Sequence, residues 1–144
     1  SLKKILSESR RCKKKIVFTN GCFDVIHNGH IETLRFAKAQ GDILLVGLNS
    51  DASIRKIKGN SRPITSLEHR LRVLSALEFV DYVIPFEETT PLKLIKLIRP
   101  DVLVKGADWA EKEVVGREYA GVVRFAPFIK GLSTTNIIRK LEEI

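Results

Sequence analysis

The chain has no methionine, one tryptophan and only two cysteines, and each scarcity closes off a class of protein. Cys12 and Cys22 stand without C-x-x-C spacing, so neither a disulfide framework nor a cysteine zinc site is indicated, and both are expected as reduced thiols. No apolar run approaches the roughly 18 residues that a bilayer-crossing helix needs, and the basic opening Ser1-Leu2-Lys3-Lys4 lacks the long apolar stretch of a signal peptide. A cytoplasmic protein with no membrane partner is the expectation. The two commonest nucleotide signatures are absent as well: there is neither a G-x-x-x-x-G-K-[ST] loop nor a G-x-G-x-x-G fingerprint. Missing methionine and a single glutamine, Gln40, beside many Ile, Lys, Arg and Glu residues give a thermophile-like composition.

What is present suits one globular domain. At 144 residues and 44% hydrophobic, the chain can bury one core, with residues 1–14 expected as a basic helix and linker and residues 15–144 as the catalytic α/β core. The formal charge is +8, but it is unevenly spread. Lys3, Lys4, Arg10, Arg11, Lys13, Lys14 and Lys15 stand against Glu8 alone, a net +6 in the first fifteen residues that leaves +2 for all the rest. No aromatics interleave this segment for base stacking, so a solvated helix is expected there and nucleic acid is not the expected partner.

Periodicity sets the element order. Leu2, Ile5 and Leu6 recur at helical spacing; Ile16 to Thr19 reads as a strand and His30 through Gln40 as a helix stopped by Gly41. Ile43 to Leu48 is a continuous apolar run of the kind buried on both faces of a parallel sheet. Asn49-Ser50-Asp51 caps a short helix, Lys58 to Ser66 is expected as a flexible polar loop, and Leu67 to Ala76 as a helix with Leu71, Leu74 and Leu77 inward. Tyr82 to Ile84, Val102 to Val104 and Val122 to Phe125 read as strands, Thr90-Pro91 opens a helix ending before Pro100, and Ser133 caps a last helix through Leu141. Alternating strands and helices imply a Rossmann-like doubly wound parallel sheet of about five strands, with ligands at the strands' carboxyl ends.

The residues that carry chemistry follow the first strand. His27-Asn28-Gly29-His30 puts His27 at a helix entrance and His30 in its first turn, while Gly29 leaves room for a phosphate to approach the backbone. Two imidazoles acting as N–H donors or as cations can share the charge that grows on an α-phosphate as it becomes five-coordinate. Helix capping is the plain structural alternative, and His-x-x-His with Cys22 or Asp24 also fits a zinc site, though further ligands have no regular spacing. Ser133-Thr134-Thr135 at a helix start offers hydroxyls and N–H groups to a phosphate, or is an ordinary cap. Arg139, one turn on, reaches a phosphate or balances the helix end. Trp109 has the core as its commoner fate.

H-x-G-H after G-x-F-D, with S-T-T-x-I-I near the end, resembles the cytidylyltransferase-like nucleotidyltransferases. More narrowly, Thr19-Asn20-Gly21-Cys22-Phe23-Asp24, Asn49-Ser50-Asp51, Lys58-Gly59, Arg62-Pro63, Leu77-Glu78-Phe79-Val80-Asp81 and Leu103-Val104-Lys105-Gly106-Ala107-Asp108-Trp109 resemble the stand-alone D-glycero-β-D-manno-heptose 1-phosphate adenylyltransferases. The resemblance spans nearly the whole chain. It implies transfer of AMP from ATP, with Mg2+, to a sugar phosphate, a separate heptose kinase, and a homo-oligomer. It also implies that His27, His30, Lys58 and Arg70 are catalytic, with Lys58 in a mobile loop and Arg70 on a phosphate. Asn20, Gly21, Cys22, Phe23, Asp24, Gly29, Lys105, Gly106, Asp108, Trp109, Ser133, Thr134 and Thr135 are implied around the nucleotide, and Asp51, Arg62 and Arg139 around the second substrate; no residue is implied as a metal ligand. Glycerol 3-phosphate cytidylyltransferases share several of these motifs, and FMN adenylyltransferases share the fold. Asn20-Gly21-Cys22 and Val104-Lys105-Gly106 tilt the resemblance toward the heptose enzymes, whereas Val115-Gly116-Arg117-Glu118-Tyr119-Ala120-Gly121 looks shortened against their pattern. A non-catalytic nucleotide-binding module is the alternative of another class.

Overall fold

A computed structural model describes residues 1–127 and 134–143. Its elements are α1 (Leu2–Arg11), β1 (Ile16–Gly21), α2 (Asn28–Ala39), β2 (Ile43–Asn49), α3 (Asp51–Lys58), α4 (Leu67–Ser75), β3 (Tyr82–Phe86), α5 (Leu92–Ile98), β4 (Val102–Gly106), β5 (Val122–Ala126) and α6 (Thr134–Glu142), with 3-10 turns at Ala107–Trp109 and Arg117–Tyr119. The five strands form one parallel sheet in the order β3-β2-β1-β4-β5. Among the described residues no helix is long and apolar enough to cross a membrane.

Alternation along each strand sends side chains to two separate cores, as the period of two requires. Val17, Leu44, Val46, Val102 and Val104 pack on one face with Leu34 and Ala37 of α2 and Leu74 of α4. Ile16, Phe18, Leu45 and Leu103 pack on the other with Leu6 of α1 and Ile95 and Ile98 of α5. Burial on both faces explains the unbroken apolar runs. It also makes α1 part of the folded core through Leu6, while its Arg10 guanidinium donates to the carbonyls of Ile98 and Arg99, 2.6 and 2.8 Å away, at the carboxyl end of α5.

The strands run one or two residues beyond their apolar runs because ladder pairing continues there: β1 stays paired to β2 through Gly21↔Leu48, and β2 to β3 through Asn49↔Phe86. One expectation needs correcting. Lys58 is the last residue of α3, capped by Gly59 at φ 91°, and does not lie in the following loop. Leu71 and Leu74 of α4 and Leu77 just beyond it all face the core as expected, Leu74 fully buried and the other two partly.

The sheet changes direction between β1 and β4, since β2 and β3 follow on one side and β5 on the other. Such a switch point opens a crevice at the strands' carboxyl ends. Here the β1–β4 ladder stops after Phe18↔Leu103. The next two steps are bridged by side chains: the Thr19 hydroxyl donates to the Val104 carbonyl at 2.8 Å, and the Lys105 ammonium donates to the Asn20 side-chain oxygen.

Candidate active site

A cavity of about 430 Å³ lies over that crevice, within the size range of small-molecule sites. The carboxyl end of β1 and the turn after it supply Asn20, Gly21, Cys22, Phe23 and Asp24; α2 supplies His30, α3 Lys58, β4 Lys105 and Gly106, and α6 Thr134, with Trp109 at the rim. Of the expected residues, His27, Gly29, Arg62, Arg70, Asp51, Asp108, Thr135 and Arg139 are not in the lining. Ser133 lies outside the described residues.

The two histidines hold each other in place. The Nδ1 of His27 accepts the Gly29 amide at 3.0 Å, the Nδ1 of His30 accepts the His27 amide at 3.2 Å, and the rings stack with centroids 4.0 Å apart. An imidazole whose Nδ1 accepts a backbone N–H carries its own proton on Nε2. Burial, together with the charges of His27 and Lys58 and against the opposing pull of Asp24, lowers the His30 pKa to about 4; burial lowers that of His27 too. The pair therefore stands at neutral pH as two neutral donors, and the ring that lines the cavity offers Nε2–H. Capping uses the Nδ1 atoms and leaves the Nε2–H of each ring over. Among the described residues no three His, Cys, Asp or Glu side chains gather as metal ligands.

The backbone leading to this helix is strained. Phe23 and Val25 both have positive φ, 49° and 47°, a conformation that costs a non-glycine residue about 1–2 kcal/mol. Asp24, between them, offsets it. One carboxylate oxygen accepts the Ile64 amide at 2.7 Å, the other the Thr65 amide and hydroxyl at 2.9 and 2.8 Å, and its carbonyl accepts the Thr134 hydroxyl. Burial alone would raise the Asp24 pKa, but these donors and the nearby Arg70 charge outweigh it and hold the carboxyl below its ordinary value. Gly21 leaves space for the Phe23 ring, which a Cβ there would meet at 3.0 Å, and that ring lies 5.4 Å from His30.

Arg70 is 1% exposed and faces protein, not cavity. Its guanidinium donates to the carbonyls of Thr65, Cys22 and Asn49 at 3.0, 2.8 and 2.7 Å and to the Asp51 carboxylate at 2.6 Å. Four of its five N–H donors are thereby spent, which corrects the expectation that it meets a phosphate. It ties the ends of β1 and β2 to α3 and α4. Asp51, expected on the second substrate, is the anion of that tie.

Other expectations shift in smaller ways. Trp109 is not a core residue: it is 37% exposed, with the ammonium groups of Lys105 and Lys112 lying 5.4 and 5.3 Å from its ring. The space at Gly106 is taken by the exposed Asp108 side chain, whose oxygen a Cβ would meet at 2.7 Å. Arg62 reaches Thr135 only at 3.5 Å, and its other terminal nitrogen is buried without a partner among the described residues. Arg139 is exposed in the last turn of α6. The Cys22 thiol is free and half-buried, its pKa raised by burial against the pull of Lys58 and Arg70. Sequence reasoning missed Thr19, Thr33, Asn49, Ile57, Thr89, Thr90, Pro91 and Val115 in the lining. Thr89 and Thr90 follow the carboxyl end of β3, so the rule that ligands gather at that edge was the available signal.

A parallel sheet whose switch point carries paired helix-entrance histidines defines a nucleotide-handling α/β domain. The cytidylyltransferase-like family model matches residues 18–140, and the chain belongs to that family; it is a nucleotidyltransferase. It is 55% identical to the bifunctional protein HldE of Campylobacter concisus over 142 residues, covering 99% of this chain and 30% of that protein. It is 52% identical to the bifunctional protein HldE of Helicobacter pylori strain Shi470, covering 98% and 30%. The chain thus spans about 30% of the length of these relatives. Among solved structures, a lipopolysaccharide core biosynthesis protein from Thermoplasma volcanium GSS1 superposes with a TM-score of 0.66 at 27% identity, covering 81% of this chain and 99% of that one.

Proposed function

We propose that this chain transfers AMP from ATP to a sugar phosphate, D-glycero-β-D-manno-heptose 1-phosphate, giving ADP-heptose and pyrophosphate. The observation that carries the reading is the neutral histidine pair at the switch-point cavity, with Nε2–H free for phosphate on the ring that lines it. A phosphate oxygen of the sugar attacks the α-phosphorus of ATP; that O–P bond forms as the bond to the pyrophosphate oxygen breaks. The attacking group is already anionic near neutral pH, so no side-chain nucleophile or strong base is required. His30 donates to the charge that develops on the α-phosphate. Lys58 neutralises phosphate charge from the end of α3, and the amino end of α6, beginning at the cavity-lining Thr134, presents backbone N–H groups to the leaving pyrophosphate.

Among the described residues no side chains gather as a cation site, and the Asp24 carboxylate is spent on Ile64 and Thr65. Magnesium is therefore read as arriving with ATP, held by the triphosphate and waters. The heptose assignment draws support from relatives named HldE and from a structural neighbour titled for lipopolysaccharide core biosynthesis. A pyrophosphate-release screen pairing ATP or CTP with heptose 1-phosphate, glycerol 3-phosphate and FMN tests it. Turnover with ATP and heptose 1-phosphate is expected. Turnover only with CTP and glycerol 3-phosphate would replace the acceptor and the nucleotide; no turnover with any pair, while ATP still binds, would favour a nucleotide-binding module.

A further inference from the structure

Two cations are buried among the described residues, Arg70 and Lys105. Arg70 has its carboxylate; among the described residues Lys105 has none within 4 Å, and its hydrogen-bond acceptor is the neutral side-chain oxygen of Asn20. An ammonium carries three donors and is retained in a folded interior only when an anion or several acceptors compensate its desolvation. The protein withholds that compensation here. The Trp109 ring lies 5.4 Å from the ammonium, and Lys112 faces the same ring, adding positive potential instead of relieving it. Burial alone holds the Lys105 pKa down, at about 8, with no carboxylate raising it. It is still a cation at neutral pH.

We propose that Lys105 anchors a substrate phosphate, its ammonium being the preformed half of an ion pair whose other half arrives with the ligand. The proposal rests on reading the cavity as a phosphoryl-transfer site. Position supports it as much as charge does: Lys105 bridges β1 and β4 two steps past the end of their ladder and lines the cavity over the crevice. A neutral base or ribose would leave the ammonium without an anion; a phosphate oxygen pairs it. The phosphate belongs either to the triphosphate or to the acceptor's monoester, and binding distinguishes them without turnover.

Calorimetric titration of native protein, Lys105→Met and Lys105→Arg at pH 7 with Mg–ATP, and separately with inorganic phosphate, supplies the test. Lys105→Met is expected to lose roughly tenfold or more in affinity for one probe, the scale of one charge-assisted hydrogen bond. Lys105→Arg should keep most of it. Loss confined to ATP assigns the anchor to the nucleotide, and loss confined to inorganic phosphate assigns it to the acceptor. The ligand-free melting temperature of Lys105→Met should equal or exceed that of native protein, because an uncompensated charge has been removed. Unchanged affinity for both probes overturns the proposal, and so does a lowered melting temperature or failure to fold, which would make Lys105 a stabilising residue. Should native protein bind neither probe, the transferase reading falls and this one with it; if the native chain binds and Lys105→Met binds equally well, only this one falls.

Discussion

Arg70 and Lys105 are both basic, both buried and both at the carboxyl edge of the sheet, yet their surroundings are opposite. Arg70 meets three carbonyls and a carboxylate; Lys105 meets one amide oxygen and faces open space. A fully compensated cation has nothing left to offer a ligand, so Arg70 is a positioning residue that ties the cavity-lining Cys22 and Asn49 to Thr65 behind them. An undercompensated one is a binding residue in waiting. Burial alone would have ranked the two together, and the inventory of partners separates them.

The sharpest way to break this contrast is to neutralise both cations. Measured by urea unfolding, Arg70→Met should destabilise the fold by about 3 kcal/mol, since three backbone carbonyls lose their donor at about 1 kcal/mol each while Asp51, 34% exposed, can turn to water. Arg70→Lys should not restore it, since a lysine cannot reach four acceptors in a fixed fork. Stability near native in Arg70→Met would erase the distinction. Next in size, His30→Ala should lower turnover roughly a hundredfold, as expected when a donor to developing charge is lost, with the circular dichroism of the native fold retained. Undiminished turnover would remove His30 from the chemistry.

Smaller effects refine the picture. Asp24→Asn removes charge from an acceptor of three hydrogen bonds and should cost about 1–3 kcal/mol, read as a lower urea midpoint at pH 7 that converges on native as the pH falls and the native carboxyl protonates. Smallest is a pH effect on stability. Unfolded, His30 titrates near its ordinary 6.5, but the folded chain holds it to about 4, so between those values the unfolded state binds the extra proton. Stability should fall as pH drops through that window. His30→Asn should flatten this part of the curve, and an unaltered slope would show that His30 is not held neutral by the fold.

Much of this was legible beforehand because double-sided burial writes itself into sequence. Ile43 to Leu48 and Val102 to Val104 announce a parallel sheet, and Ser50 announces a helix start that the structure reproduces as a side-chain cap. The histidine run was legible as a pair. Its tautomers were not, because they depend on which backbone amides face which ring nitrogens. Nor was the fate of the cations. Arg70 sits in a helix whose apolar stripe gives no sign that an arginine lies under it, and Lys105 follows three buried valine and leucine positions where a charge is ordinarily the signal that a strand has surfaced. Lys58 was misplaced because the break was assigned to the polar stretch as a whole, whereas it falls at Gly59.

The lone tryptophan has a practical side. Trp109 stands at the cavity rim, partly exposed, with a lysine at either approach to its ring, and no second indole in the sequence competes with it. Indole emission from this chain is therefore the signal of a single place, a label-free optical probe already installed in the cavity wall.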